Sequence, residues 1–160
     1  VYGVTRQQQH HYLEAEDVGM AVVTFKNGAV ATIEGTTNVY PKNLEETLYL
    51  FGENGTVKAD GTINNIIENW RFADDIDDED EVKRDFSVEV NHIYGQGHTP
   101  LYADMIDAIK NDRAPYVDMY AGKKAVEIVL AIYKSSKEKC SVSLPLNSVA
   151  TTDFTGMFNK

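Results

Sequence analysis

A chain of 160 residues with 42% apolar content is long enough to bury a core as one domain and too apolar for a disordered segment. A formal net charge of −10 leaves no basic footprint for nucleic acid or for an anionic membrane. The single cysteine, Cys140, rules out an internal disulfide or a cysteine zinc cluster and suits a reducing, cytoplasmic setting. No apolar run approaches the roughly 20 residues of a membrane-spanning helix. The chain opens on Val1 in what reads as mid-strand, so the lack of a signal peptide carries no information.

Val1 to Glu14 alternates loosely and reads as a strand, with His10, Tyr12 and Glu14 on one face and His11 and Leu13 on the other. Val18–Lys26 and Ala29–Gly35 flank Asn27-Gly28, the pair favoured in a two-residue type I′ hairpin turn. Pairing about that turn predicts Ala21, Val23, Phe25, Val30, Thr32 and Glu34 on one face, and Met20, Val22, Thr24, Ala29, Ala31 and Ile33 on the other. Both faces are substantially apolar, so both call for cover. Glu34, odd on its face, either pairs with a Lys or Arg in the core or faces a pocket, and the pair is the expectation. Further strands are predicted at Glu45–Phe51, Thr56–Ala59 and Ile63–Phe72, separated by turns at Gly52–Gly55 and Asp60-Gly61. Asp74 to Glu81, with seven acidic residues in eight, reads as a solvated loop.

Two amphipathic helices follow. Thr99 reads as an N-cap with Pro100 at the first helical position, and Leu101, Met105, Ala108 and Ile109 form one stripe. Asn111 to Pro115 ends that helix. Asp118 is placed to cap the second, whose stripe is Ala125, Ile128, Val129 and Ile132. Ser141 to Leu146 reads as a returning edge strand, since Pro145 disfavours a central place. Strands first and helices after indicate an α+β fold with an open, mainly antiparallel sheet and helices on one face.

Few residues point to chemistry. Gly95-Gln96-Gly97 before a helix offers either an anion site at free N–H groups or a flexible lead-in, and His98 is the titratable group expected near a ligand. Thr36 to Asn43 is rich in hydrogen-bonding groups; Tyr40, Lys42 and Asn43 suit a sugar bearing phosphate or carboxylate, against the alternative of an ordinary polar loop. His10, His11 and Glu14 do not make a metal site, because adjacent strand residues face opposite ways. The acidic run lacks the glycine and ligand spacing of a calcium loop, and Cys140 has no histidine beside it to activate it. No complete phosphate loop or dinucleotide fingerprint is present.

Three runs together, EAEDVGMAVVTFKNGAVATIEGTT, LFGENGTVKADG and GHTPLYADMIDAIKNDRAPYVDMYAGKKAVEIVLAIYKSS, resemble the C-terminal domain of the Gfo/Idh/MocA oxidoreductases over nearly the whole chain. RQQQHHYLEAED and TTNVYPKNLEE are most similar to the subgroup that oxidises UDP-N-acetylglucosaminuronic acid at its third carbon. The resemblance implies a two-domain NAD(P)-dependent sugar or sugar-nucleotide dehydrogenase. In it a Rossmann domain holds NAD or NADP, and the C-terminal α+β domain, of the glucose-fructose oxidoreductase type, supplies an open sheet, a wall of the substrate pocket and a homo-oligomer interface. The family's E-K-P lysine and Asp…His pair would lie upstream of Val1, so no catalytic, cofactor-binding or metal residue is expected in residues 1–160, and no cofactor bound to them. His98, in the family's G-H run, carries over as substrate-facing; Tyr40, Lys42 and Asn43 carry over as sugar-nucleotide contacts. Met119 departs from a glycine common at this turn. Rival readings are a self-contained carbohydrate-binding or scaffolding domain, or this same domain in a protein that has lost catalysis.

Overall fold

The computed structural model describes residues 1–74, 77–89, 95 and 97–158. In chain order the elements are β1 (Tyr2–Arg6), β2 (Val18–Thr24), β3 (Val30–Thr36), β4 (Leu48–Phe51), β5 (Gly55–Asp60) and β6 (Ile66–Phe72), then α1 (Glu79–Phe86), α2 (His98–Lys110) and α3 (Met119–Glu138). A short 3-10 turn spans Thr151–Phe154. The α+β class holds: open antiparallel sheets come first and helices pack against them. The chain divides into two compact units, Val1–Tyr40 with Val117–Lys160, and Pro41–Tyr116.

The first unit carries the sheet β1-β2-β3. The expected hairpin exists, but its register differs from the sequence expectation. Thr24 pairs with Val30 and Val22 with Thr32, leaving Lys26, Asn27 and Gly28 as a three-residue loop inside the Phe25–Ala29 pair. Phe25 N–H donates to the Ala29 carbonyl at 2.8 Å, and Gly28, at φ 91°, donates back to Phe25 at 3.0 Å. This is a turn closed by a left-handed glycine, the three-residue alternative to the two-residue type I′ loop. One extra loop residue moves every β3 side chain to the other face. The face toward α3 is therefore Gly3, Thr5, Gly19, Ala21, Val23, Ala31 and Ile33, buried at Gly3, Thr5, Ala21 and Val23 and still exposed at Ile33. The open face carries Tyr2, Val4, Met20, Val22 and Val30, all substantially exposed, beside Thr24, Thr32 and Glu34. Among the described residues Glu34 has no ion-pair partner, contrary to expectation.

β1 is shorter than the alternation suggested: it ends at Arg6, and residues 7–17 form a connection without regular structure. Helix α3 packs along β1. Asp118 caps it as expected, accepting from Ala121 N–H at 2.8 Å. Its buried side is not the predicted stripe: Ala131, Ser135 and Ser136 are buried, Ile128 and Ile132 are half-buried, and Ala125 and Val129 are exposed. The reason is polar. Gly3 N–H donates to Ser135 Oγ and Thr5 N–H to Ser136 Oγ, each at 2.9 Å, so two helix hydroxyls satisfy the free edge of the sheet. A methyl group on Gly3 would stand 2.8–3.1 Å from Ile132 side chain and backbone, which shows how closely helix and strand approach. The predicted edge strand at Ser141–Leu146 does not form; only Val142 joins β1, exchanging two backbone hydrogen bonds with Val1.

The second unit carries the sheet β4-β5-β6, with a bulge between Lys58 and Ala59. The acidic run is not simply a loop. Asp78 caps α1 and accepts from Glu81 N–H at 2.9 Å, and Glu79, Asp80 and Glu81 fill the first turn, where carboxylates suit the helix dipole. Its Asp75 and Ile76 lie outside the described residues. Along β6 the edge is again met by side chains: Trp70 N–H donates to Glu79 at 3.2 Å and Ile67 N–H to Ser87 Oγ at 2.9 Å. Helix α2 begins two residues earlier than expected, with Gly97 at the N-cap rather than Thr99 and no side-chain cap. Of its predicted stripe only Ala108 is buried.

Candidate functional site

The four residues carried over as substrate contacts fall in both units. Tyr40 closes the first unit's sequence and is 94% exposed. Lys42 and Asn43 lie exposed in the irregular stretch before β4, in the second unit. His98 is the exposed first residue of α2, its ring stacked 6.5 Å from Tyr102 one turn on. Gln96, between the two glycines of the proposed anion loop, lies outside the described residues.

A residue that sequence reasoning passed over organises the first unit's polar end. Asp17 stands one position before β2 and is 2% exposed. Its carboxylate accepts from three successive backbone N–H groups, Gln8 at 2.7 Å, Gln9 at 2.6 Å and His10 at 2.9 Å. Its own carbonyl accepts from Thr37 N–H at 3.0 Å and from Thr36 Oγ1 at 2.8 Å, so it ties the 7–17 connection to the segment after β3. Burial opposes the charge, but those N–H groups, with the Asn38 side chain, hold the carboxyl well below the usual carboxylate range. His10 Nδ1 lies 3.7 Å from Asp17 Oδ2 and 3.5 Å from Thr37 Oγ1. The His10 ring meets Tyr12 edge-on at 5.9 Å. Asn38 Oδ1 is buried and has no hydrogen-bond partner among the described residues. The signal available in the sequence was a lone Asp at the mouth of a strand, facing a long Gln- and His-rich connection.

Beside this end of the sheet is a cavity of about 390 Å³ lined by Thr5, Arg6, Gln7, Ser136, Lys137, Met157 and Phe158. Both cations on its wall are engaged with backbone: Arg6 Nη1 donates to the Thr5 carbonyl at 2.9 Å and Lys137 Nζ to the Asp153 carbonyl at 2.6 Å. Tyr133 donates to Glu16, and burial followed by that carboxylate raises its phenol above the usual range. Among the described residues no three His, Cys, Asp or Glu side chains gather as a metal site, and no helix is long and apolar enough to cross a membrane.

Comparison with known proteins gives this geometry a context. Residues 1–144 match the Gfo/Idh/MocA family described as "Oxidoreductase family, C-terminal alpha/beta domain". The chain is similar to the WlbA dehydrogenase of Bordetella pertussis, solved in complex with NADH and UDP-GlcNAcA, with 33% identity and a TM-score of 0.80 over 91% of this chain and 42% of that one. It is similar to the WlbA dehydrogenase of Chromobacterium violaceum, in complex with the same two ligands, with 31% identity and a TM-score of 0.77 over 92% of this chain and 40% of that one. An oxidoreductase domain protein of Kribbella flavida, at 16% identity and a TM-score of 0.63 over 86% of this chain and 42% of that one, shares the fold. Among curated proteins none matches. The chain thus spans about two fifths of the length of the WlbA dehydrogenases it matches.

Proposed function

This chain belongs to the Gfo/Idh/MocA oxidoreductase family as a C-terminal α/β domain, and on that premise we propose that it is the substrate-side domain of an NAD(P)-dependent sugar-nucleotide dehydrogenase. The observation that carries this reading is the 33% identity, at a TM-score of 0.80 over 91% of the chain, to a dehydrogenase solved with NADH and UDP-GlcNAcA. A preceding Rossmann domain would hold the nicotinamide and the catalytic groups, and this domain would supply one wall of the substrate pocket. Hydride would pass from a sugar carbon to NAD(P)⁺, the hydroxyl proton leaving to a base on the other domain. His98, Tyr40, Lys42 and Asn43 are the substrate contacts on this reading, Lys42 being the group suited to a phosphate or carboxylate. The open face of Tyr2, Val4, Met20, Val22 and Val30 is the surface through which copies of the protein associate.

The test is reduction of NAD⁺ by the longer protein supplied with UDP-N-acetylglucosaminuronic acid and, in parallel, with UDP-N-acetylglucosamine. Turnover with a UDP-sugar, and a raised KM in His98→Ala and Lys42→Ala, is the expected result. Absence of hydride transfer with any UDP-sugar would overturn the activity; unchanged KM in both variants would remove those two residues from the site.

A further inference from the structure

We propose that the cluster of His10, Tyr12 and Thr37 contacts the pyranose ring of the sugar nucleotide, with Asp17 as the residue that positions it. The inference rests on the sugar-nucleotide reading above and adds a subsite to it.

Residues 7–17 join β1 to β2 with no secondary structure of their own. This connection is pinned from beneath. Three consecutive N–H groups converge on one buried carboxylate, the arrangement in which backbone donors form an anion-holding nest; here the protein fills the nest with its own Asp17. Gln7 Nε2 adds bonds to the carbonyls of Leu13 and Ala15. The backbone is therefore ordered before any ligand arrives, which lowers the entropic cost of binding.

What is presented on that frame has a definite chemistry. The Asp17 carboxylate lies 3.7 Å and the Thr37 hydroxyl 3.5 Å from His10 Nδ1, so both groups stand beside that nitrogen. Nε2 has no partner among the described residues, and the side chain is 31% exposed. It is the ring nitrogen open to a sugar hydroxyl, which can either donate or accept. The Thr37 hydroxyl adds a neutral group from the neighbouring segment, and the exposed Tyr12 ring offers a face for the C–H side of a sugar. A phosphate is a poor occupant, because the cluster's fixed charge is the Asp17 carboxylate. Neutral acceptors and donors beside an aromatic face suit a hexose ring.

The test uses the longer protein and titrates UDP-N-acetylglucosaminuronic acid and UDP separately into unaltered protein and into His10→Ala, Tyr12→Ala, Thr37→Val and Asp17→Asn. His10→Ala is expected to weaken UDP-sugar binding by about 3–10-fold, the worth of one hydrogen bond, and to leave UDP affinity within about twofold. Asp17→Asn is expected to do the same, and the double variant His10→Ala with Asp17→Asn to cost no more than either alone, since one residue acts through the other. A purely structural Asp17 would give additive losses and weaken UDP as well, and would overturn its positioning role. UDP-sugar binding as tight in His10→Ala, Tyr12→Ala and Thr37→Val as in unaltered protein would overturn the subsite while leaving the dehydrogenase reading intact. No UDP-sugar binding by unaltered protein would overturn both.

Discussion

Ser135 shows how much a single hydroxyl can hold in this protein. It is 0% exposed, accepts from Gly3 N–H at 2.9 Å and donates to the Cys140 carbonyl at 2.6 Å. Ser135→Ala leaves a buried N–H and a carbonyl without their partner and should cost about 1–3 kcal/mol, read as a shift in the denaturant midpoint. Glu79 makes a pH-dependent contribution of the same local kind. Lys83 and the Trp70 N–H, with Arg71, outweigh its partial burial and bring its carboxyl from 4.5 down to about 2. A depressed folded-state value means the stabilisation is complete above about pH 4.5 and is lost as pH falls toward 2. Glu79→Gln should therefore flatten the acid limb of a thermal-stability profile in that window; an unchanged limb would place the titrating group elsewhere. Neither residue was legible in the sequence. Hydroxyls near a helix end and a glutamate in an acidic run look like solvated surface until the edge they face is known.

Both sheets use one device: a helix laid along an outer strand supplies side-chain acceptors to N–H groups that have no strand to pair with. Ser135 and Ser136 serve β1, and Glu79 with Ser87 serve β6. Such cover removes a template for unwanted strand addition. It demands close approach, which is why Gly3 sits where a Cβ would meet the Ile132 backbone. Gly3→Ala should push α3 off β1 and cost about 1–3 kcal/mol, checked by the midpoint of thermal unfolding; Gly35→Ala, with nothing within 4 Å of its Cβ position, is the control. At this scale much was readable. Asp118 as a cap, the Asn111 stop and six strand positions all follow from local chemistry. The register of β3 did not, because Asn27-Gly28 serves a two-residue turn and a three-residue turn equally well until Phe25 is seen paired with Ala29. That one residue decided which face Glu34 and Val30 occupy.

For the whole molecule, the corrected faces sharpen the assembly proposal. Tyr2, Val4, Met20, Val22 and Val30 line up across three strands on the side away from Ala21 and Val23, where a second copy would bury them. Val22→Glu should convert the assembly to smaller species by light scattering while leaving the circular dichroism spectrum unchanged; an unaltered mass would place the interface elsewhere. The fold class was legible because strand and helix periodicities separate cleanly along the chain, and the family was legible from three runs in the right order. Asp17 was not, since its role depends on residues 8–10 and 37 folding around it. The central proposal is a division of labour, in which these residues meet the sugar nucleotide and a separate domain holds the nicotinamide. Isothermal titration of NADH into the isolated chain and into the longer protein measures that division directly. The expected result is saturable binding by the longer protein alone; micromolar NADH binding by residues 1–160 on their own would contradict it.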